Sequence, residues 1–232
     1  MEYSLIVHAG GKGTRLRPLT LNIPKVLLPV GDKKLLDYVL APWLDFGIKE
    51  VIVTVSFKAE QIKEFFKENY PDLNVKFIYE DEPSGRSGAI KLGIRQDILN
   101  PDKSYIMILG DDIVDIDIPK LLDFHNSHSK EVTLILAKQY NNPYGVAHLS
   151  GNQIINFKEK PLTSLPDNYG INTGAAVLKN LRTFLNTPIP SNPEDALYPE
   201  LAKVNQIVGF FANEWNSVNT KSEYKQVVEK FS

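Results

Sequence analysis

The sequence predicts an α/β protein: a Rossmann-like, mostly parallel sheet flanked by helices. Three observations carry this. Short, almost wholly apolar runs of about five residues recur, as expected for strands buried on both faces. Stretches with helical spacing separate them. Glycine-rich or acidic loops follow two of the apolar runs directly, where sheets of this class bind ligands.

Taken in order, the strand candidates are Leu5–Ala9, Val51–Val55, Val75–Tyr79, Tyr105–Leu109 and Val132–Ala137. Helical patterns fall between them at Leu35–Phe46, Glu60–Asn69, Gly88–Gln96 and Ile118–Ser127. In the second of these, Ile62, Phe65 and Phe66 form an i, i+3, i+4 stripe that needs a sheet to cover it. After about residue 140 the texture changes. Tyr144–Leu149 and Gln153–Lys158 read as a hairpin around Ser150-Gly151-Asn152. A strand over Thr173–Leu178, a helix near Asp195–Val204, a strand at Ile207–Phe211 and a helix over Lys221–Lys230 follow. No linker or repeat interrupts the chain. The expectation is one domain, 1–232, with a nucleotide-type half over about 1–140 and an acceptor half over about 141–232.

Composition narrows the function. The 232 residues are 43% hydrophobic and carry a net charge of −2, which suits a packed core and lacks the basic surplus of a nucleic-acid reader. The absence of cysteine removes disulfides, thiolate metal sites and cysteine nucleophiles. No signal-peptide pattern or membrane-length apolar run is present. The expectation is a cytoplasmic protein with no nucleic-acid or membrane partner; a homo-oligomer is compatible with the sequence.

The first loop, HAGGKGTRLRPLT at residues 8–20, combines bare backbone with fixed positive charge. Glycines after a strand let backbone N–H groups approach a phosphate closely. The Walker spacing is absent, because Lys12 precedes Gly13. A dinucleotide loop is also excluded, since Pro18 prevents a helix from running on through Arg15. Arg15 therefore presents a planar cationic fork suited to phosphate oxygens. Lys25, set between Pro24 and an apolar Val-Leu-Leu run, is a second cation for the same anion. Further on, ILGDDIVD at 108–115 ends an apolar run in carboxylates, at the strand end where α/β sheets bind ligands.

Together, G-G-K-G-T-R-L-R-P-L-T and P-K-V-L-L-P-V resemble the signature of the sugar-1-phosphate nucleotidyltransferases. The resemblance extends over nearly the whole chain. It implies a GT-A-like nucleotidyltransferase architecture, and a Mg²⁺-dependent reaction of an NTP with a sugar 1-phosphate giving an NDP-sugar and pyrophosphate. It implies that Arg15 grips the triphosphate, that Lys25 bridges the reacting phosphates, and that Asp111 binds Mg²⁺. Ala9, Gly10, Gly11, Gly13 and Thr14 would line the nucleotide. Glu80 would accept from a base N–H, and Gly85 would let the base lie against backbone. On the sugar side it implies Gly145 and Asn172 as sugar contacts, Glu159 as acceptor from hydroxyls, and Lys160 at the sugar phosphate.

One place departs from the family pattern. Where many members carry W-x-D-x-G-T-P, with a metal-binding Asp, this chain reads W-N-S-V-N-T-K, and Ser217 stands at the Asp position. Asn219 is then the second metal ligand expected, through its amide oxygen. Arg86 replaces the usual Thr and has no assigned role. UTP or dTTP with glucose 1-phosphate is the favoured substrate pair. GTP with mannose 1-phosphate, a CTP-dependent enzyme loading an alcohol phosphate, and a non-catalytic nucleotide-sensing subunit are the alternatives. The C-terminal β-helix of some members is not expected.

Overall fold

The computed structural model describes residues 3–138, 144–161 and 167–231. Its first elements are β1 (Ser4–His8), β2 (Pro29–Val30), β3 (Lys33–Lys34), α1 (Leu35–Asp45), β4 (Glu50–Val55), α2 (Ala59–Asn69), β5 (Asn74–Tyr79), α3 (Gly85–Arg95), β6 (Tyr105–Leu109) and β7 (Asp112–Asp115). There follow α4 (Ile118–Asn126), β8 (Val132–Ala137), β9 (Val146–Ser150), β10 (Gln153–Lys158) and β11 (Tyr169–Leu178). The last elements are α5 (Pro193–Ala196), α6 (Tyr198–Lys203), β12 (Ile207–Phe211), β13 (Glu214–Ser217) and α7 (Lys221–Phe231). They pack as two compact units, one formed by residues 1–83, 108–114 and 215–232, the other by 84–107 and 115–214.

In the first unit β1, β4 and β5 pair in parallel, with Leu5 opposite Val51 and Val51 opposite Val75. All of β1 is buried, and β4 nearly so. β5 departs from the expectation of burial on both faces. It has one neighbour among these three strands, so Asn74, Lys76 and Tyr79 stay exposed while Ile78 goes inside. In α2 the stripe is buried as the spacing requires, at Ile62, Phe65 and Phe66. Burying each such side chain contributes about 1.5–3 kcal/mol.

In the second unit most pairings are antiparallel: β11 with β6, β8 and β9, and β10 with β9 and β12. β8 and β12 form a parallel pair. The fold is α/β, but the mostly parallel sheet describes the first unit only; the second is mixed, because the β9–β10 hairpin and the long β11 reverse direction. The single helix expected over Asp195–Val204 is two short ones, α5 and α6, with Leu197 between them. The acidic stretch after Asp111 is ordered as well. Asp112 and Asp115 lie in β7, and Asp117 caps α4 by accepting the Lys120 N–H at 3.1 Å. No helix of the described residues is long and apolar enough to cross a membrane.

Candidate active site

The glycine-rich loop leaves β1 at its C-terminal end. Ala9 is buried and donates its N–H to the Thr54 carbonyl at 3.0 Å. A Cβ built on Gly10 would lie 3.4 Å from Oε2 of Glu80, whereas Gly11 faces open space. Glu80 follows β5 and is anchored by its own N–H to Val55 O at 2.9 Å. Two sequence-predicted nucleotide residues, from loops 70 positions apart, thus meet at the ends of parallel strands, the ligand-binding edge of such sheets.

Gly13 adopts φ +58°, and a Cβ there would come 3.0 Å from Thr20 Cγ2 and 3.1 Å from Lys25 Cβ. Only glycine suits that backbone without strain. Thr20 donates its hydroxyl to the Gly13 carbonyl at 2.8 Å, tying the loop back. Thr14, Arg15 and Leu16 then form one 3₁₀ turn, with Leu16 buried while Thr14 and Arg15 are exposed. No hydrogen bond or ion pair engages the Arg15 guanidinium among the described residues, so the fork is available to an anion.

Lys25 opens a second 3₁₀ turn after Pro24 and is 9% exposed. Its ammonium donates to Asp111 Oδ2 in a short ion pair, and to Asn219 Oδ1 at 2.9 Å. Asp111 sits just past β6, behind Gly110, whose N–H donates to the His8 carbonyl at 2.9 Å. Its backbone carbonyl accepts from Val218 N–H at 3.2 Å, which brings the 217–219 stretch alongside. Ser217, at the position of the missing Asp, accepts from Asn219 Nδ2 at 2.6 Å. That bond turns Asn219 Oδ1 toward the cation. Glu223 Oε2 accepts the N–H groups of Asn219 and Thr220, at 2.8 and 2.7 Å, and Thr220 Oγ1 accepts the Glu223 N–H at 3.2 Å. This capping box fixes Asn219 immediately before α7. Its T-x-x-E spacing at 220–223 was readable in the sequence.

The donor set fits a small hard cation. Asp111 and Asn219 supply a carboxylate and an amide oxygen, and both already converge on one cation, the Lys25 ammonium. Among the described residues no cluster of three or more His, Asp or Glu side chains could hold a metal. A metal here would take its remaining ligands from phosphate oxygens and water, as Mg²⁺ commonly does.

The sugar-side residues gather in the second unit. A Cβ on Gly145 would fall 2.6 Å from the Phe157 ring and 2.8 Å from Glu159 Oε2, so glycine lets the β9 entry lie against that carboxylate. Burial pushes the Glu159 carboxyl above its usual range, against the pull of Lys160, and nearby Glu194 adds to the rise. Lys160 is exposed and pairs with Glu159 at 3.0 Å. Asn172 is 5% exposed; its Nδ2 donates to Glu194 Oε1 at 2.9 Å and its Oδ1 accepts from Gly174 N–H at 3.1 Å. Gly85 has φ +72°, and a Cβ there would lie 2.3 Å from the Ser191 carbonyl. No side chain fits at that position. Arg86 is no solvated loop cation, since its Nη2 donates to Glu194 Oε2 at 2.6 Å. Glu194 is the functional candidate that sequence reasoning missed. An acidic residue opening a helix after Asn-Pro carries no signal that it will pair with residues 22 and 108 positions away.

Fold and site together define a class: an α/β protein whose glycine-rich loop follows the end of a parallel strand and whose acidic loop follows β6. The profile of the nucleotidyl transferase family matches residues 4–206, and the chain belongs to that family. It is 31% identical over 213 residues to a mannose-1-phosphate guanyltransferase of Gibberella zeae, covering 88% of this chain and 57% of that protein. It is 32% identical over 207 residues to the mannose-1-phosphate guanylyltransferase catalytic subunit beta of Drosophila melanogaster, covering 87% and 55%. The chain thus spans little more than half the length of these curated relatives. Its fold superposes on the crystal structure of HddC from Yersinia pseudotuberculosis with a TM-score of 0.80 at 24% identity, covering 99% of this chain and 100% of that one.

Proposed function

We propose that this chain transfers a nucleotidyl group from GTP to a hexose 1-phosphate of the mannose type, giving a GDP-sugar and pyrophosphate. The first unit binds the nucleotide and the second the sugar. The observation that carries the reaction class is the convergence of Lys25, Asp111 and Asn219 beside the loops that end β1 and β6. A phosphate oxygen of the sugar 1-phosphate attacks the α-phosphorus, and the bond from that phosphorus to the β-phosphate oxygen breaks. Two anions meet, so most of the catalysis is charge neutralisation and positioning. Arg15 takes up the charge of the departing pyrophosphate, and the Lys25 ammonium donates to the oxygens of the reacting phosphates. Asp111 and Asn219 would hold Mg²⁺, which supplies further neutralisation of phosphate charge when bound.

Glu80 favours guanine over uracil or thymine. A carboxylate offers two acceptor oxygens side by side, matching guanine N1–H and its exocyclic amino group. Uracil and thymine present one N–H flanked by carbonyl oxygens, which repel the second carboxylate oxygen. The curated relatives, named for mannose 1-phosphate and guanylyl transfer, support the same pair.

The test is pyrophosphate release with Mg²⁺, crossing GTP, UTP, dTTP, CTP and ATP against mannose, glucose and N-acetylglucosamine 1-phosphates. GTP with mannose 1-phosphate is expected to give the highest kcat/KM. A higher value for UTP or dTTP with glucose 1-phosphate would overturn the base assignment. Tight nucleotide binding without release from any pair would replace the enzyme by a sensing subunit.

A further inference from the structure

Arg86 is the cation to which neither the motif nor the reaction assigns a task. Its guanidinium is 23% exposed and its partner Glu194 only 5% by side chain. Burial works against the charge of Arg86, but Glu194 more than compensates, and the group is held more basic than a free arginine. The Arg86 N–H donates to Asn192 Oδ1 at 3.2 Å, so backbone and side chain are both tied to the 192–194 stretch.

The contacts continue from Glu194 to the sugar-side residues. One Glu194 oxygen takes Arg86 and the other takes the Asn172 amide. Glu194 is acceptor-only, so it dictates that Asn172 present its NH₂ there and its oxygen to Gly174. The Asn172 backbone N–H in turn donates to the Gly145 carbonyl at 2.8 Å, and Gly145 abuts Glu159. The rings of Phe157 and Tyr198 stand edge to face at 5.5 Å behind this wall. Arg86 Nη1 and the Tyr198 hydroxyl are buried with no hydrogen-bond partner among the described residues.

We propose that Arg86 is a positioning residue for the sugar 1-phosphate: through Glu194 it fixes the Asn172 amide, and with it the Gly145–Glu159 wall, in acceptor-binding geometry. The inference rests on the nucleotidyl-transfer reading above. It gives Glu194 the role of relay and predicts that the two substrates respond differently to its loss.

The experiment measures KM for each substrate separately in wild type, Arg86→Lys, Arg86→Met and the double variant Arg86→Met/Glu194→Gln, with melting temperatures alongside. Arg86→Met strands a buried carboxylate and lowers the melting temperature. The double variant removes that charge and regains stability. In both, KM for the sugar 1-phosphate is expected to rise about tenfold or more, the scale of a lost charge-assisted hydrogen bond. KM for the nucleotide stays within about twofold, because Arg15, Lys25 and Glu80 make none of these contacts. Arg86→Lys keeps the charge without the fork and falls between. A double variant with wild-type stability and wild-type sugar KM overturns the proposal, as does a parallel rise in both KM values. Should the Met variants not fold, an unchanged sugar KM in Arg86→Lys overturns it alone. A wild type that releases no pyrophosphate from any pair overturns the reading and the inference together; an active wild type with insensitive variants overturns the inference only.

Discussion

The protein brings a cation, a carboxylate and an amide together twice. In the first unit a lysine, an aspartate and an asparagine meet at Lys25, Asp111 and Asn219. In the second an arginine, a glutamate and an asparagine meet at Arg86, Glu194 and Asn172. The carboxylate differs most in its surroundings. Asp111 is 21% exposed by side chain, Glu194 only 5%. The cations differ too: an ammonium is a strongly hydrated point charge, easily traded between partners, while a guanidinium binds through a rigid fork. The second amide is held by backbone N–H on β11, the first by the Ser217 hydroxyl. The first triad is thus suited to exchanging its cation for substrate charge. The second is fixed, because breaking it would leave a buried carboxylate unpaired.

The largest test of this contrast is on turnover. Asp111→Ala is expected to lower kcat by about a thousandfold, as for loss of a ligand to the ion that neutralises phosphate charge, and Lys25→Met by at least about a hundredfold, as for loss of a cation that does so directly. Both should keep their circular dichroism and melt within a few degrees of wild type. Arg86→Met should do the reverse, losing stability first. If Lys25→Met melted early while retaining wild-type kcat, the two triads would be of one kind and the distinction would fail.

The first triad was largely legible in the sequence and the second was not. Lys25 and Asp111 stand in motifs, after Pro24 and at the end of an apolar run, where local pattern places them. Asn219 was reached through the family resemblance, because W-N-S-V-N-T-K replaces the W-x-D-x-G-T-P pattern there. Arg86, Glu194 and Asn172 come from three stretches whose meeting depends on the antiparallel return of β11 and on the break between α5 and α6, and neither leaves a local signature. The parallel strands β1, β4 and β5 of the first unit were readable to within a residue, because buried parallel strands are nearly all apolar. Edge strand β5 shows the limit: its apolar residues say strand, but only its place in the sheet says which face stays wet. The pairing of β7 with β13 was hidden by the acidic residues of Asp112–Asp115.

A third polar cluster tests whether burial itself makes the second unit rigid. His125 is 4% exposed and shares a 2.8 Å hydrogen bond with Thr133, which also meets His128 Nε2 at 3.2 Å. Burial, with His128 and Lys179 nearby, pushes His125 down to about 4. His128 is lowered too, first by burial and then by Lys130 and Lys179. The unfolded chain takes up a proton near the ordinary histidine pKa of about 6.5, while folded His125 resists until about 4. Stability is therefore full above about pH 6.5 and is lost as pH falls toward 4. From His125 alone the loss between pH 7 and pH 5 is about 2 kcal/mol. Urea titrations at pH 7, 6 and 5 should show this slope in wild type and a flatter one in His125→Asn. Equal slopes would mean that the cluster opens to water before it titrates, and the second unit would not be the rigid partner in the comparison.

The smallest effect bears on the chain's own departure from its family's pattern. If Asn219 is a cation ligand, its amide contributes an oxygen but no charge, and Lys25 competes for the same two oxygens. Manganese can report on this without turnover, by the loss of its free-ion resonance on binding. Asn219→Ala is expected to weaken Mn²⁺ binding about tenfold, in the range of a lost supporting ligand. Asn219→Asp should tighten it by restoring the missing negative charge. Lys25→Met should tighten it as well, although it lowers turnover, because Asp111 and Asn219 are then relieved of their ammonium. An Asn219→Ala variant that binds Mn²⁺ as wild type does, but melts earlier, would assign Asn219 to the capping of α7 alone. The exchangeable triad would then reduce to the Lys25–Asp111 pair, with Ser217 and Asn219 no more than the scaffold that holds it.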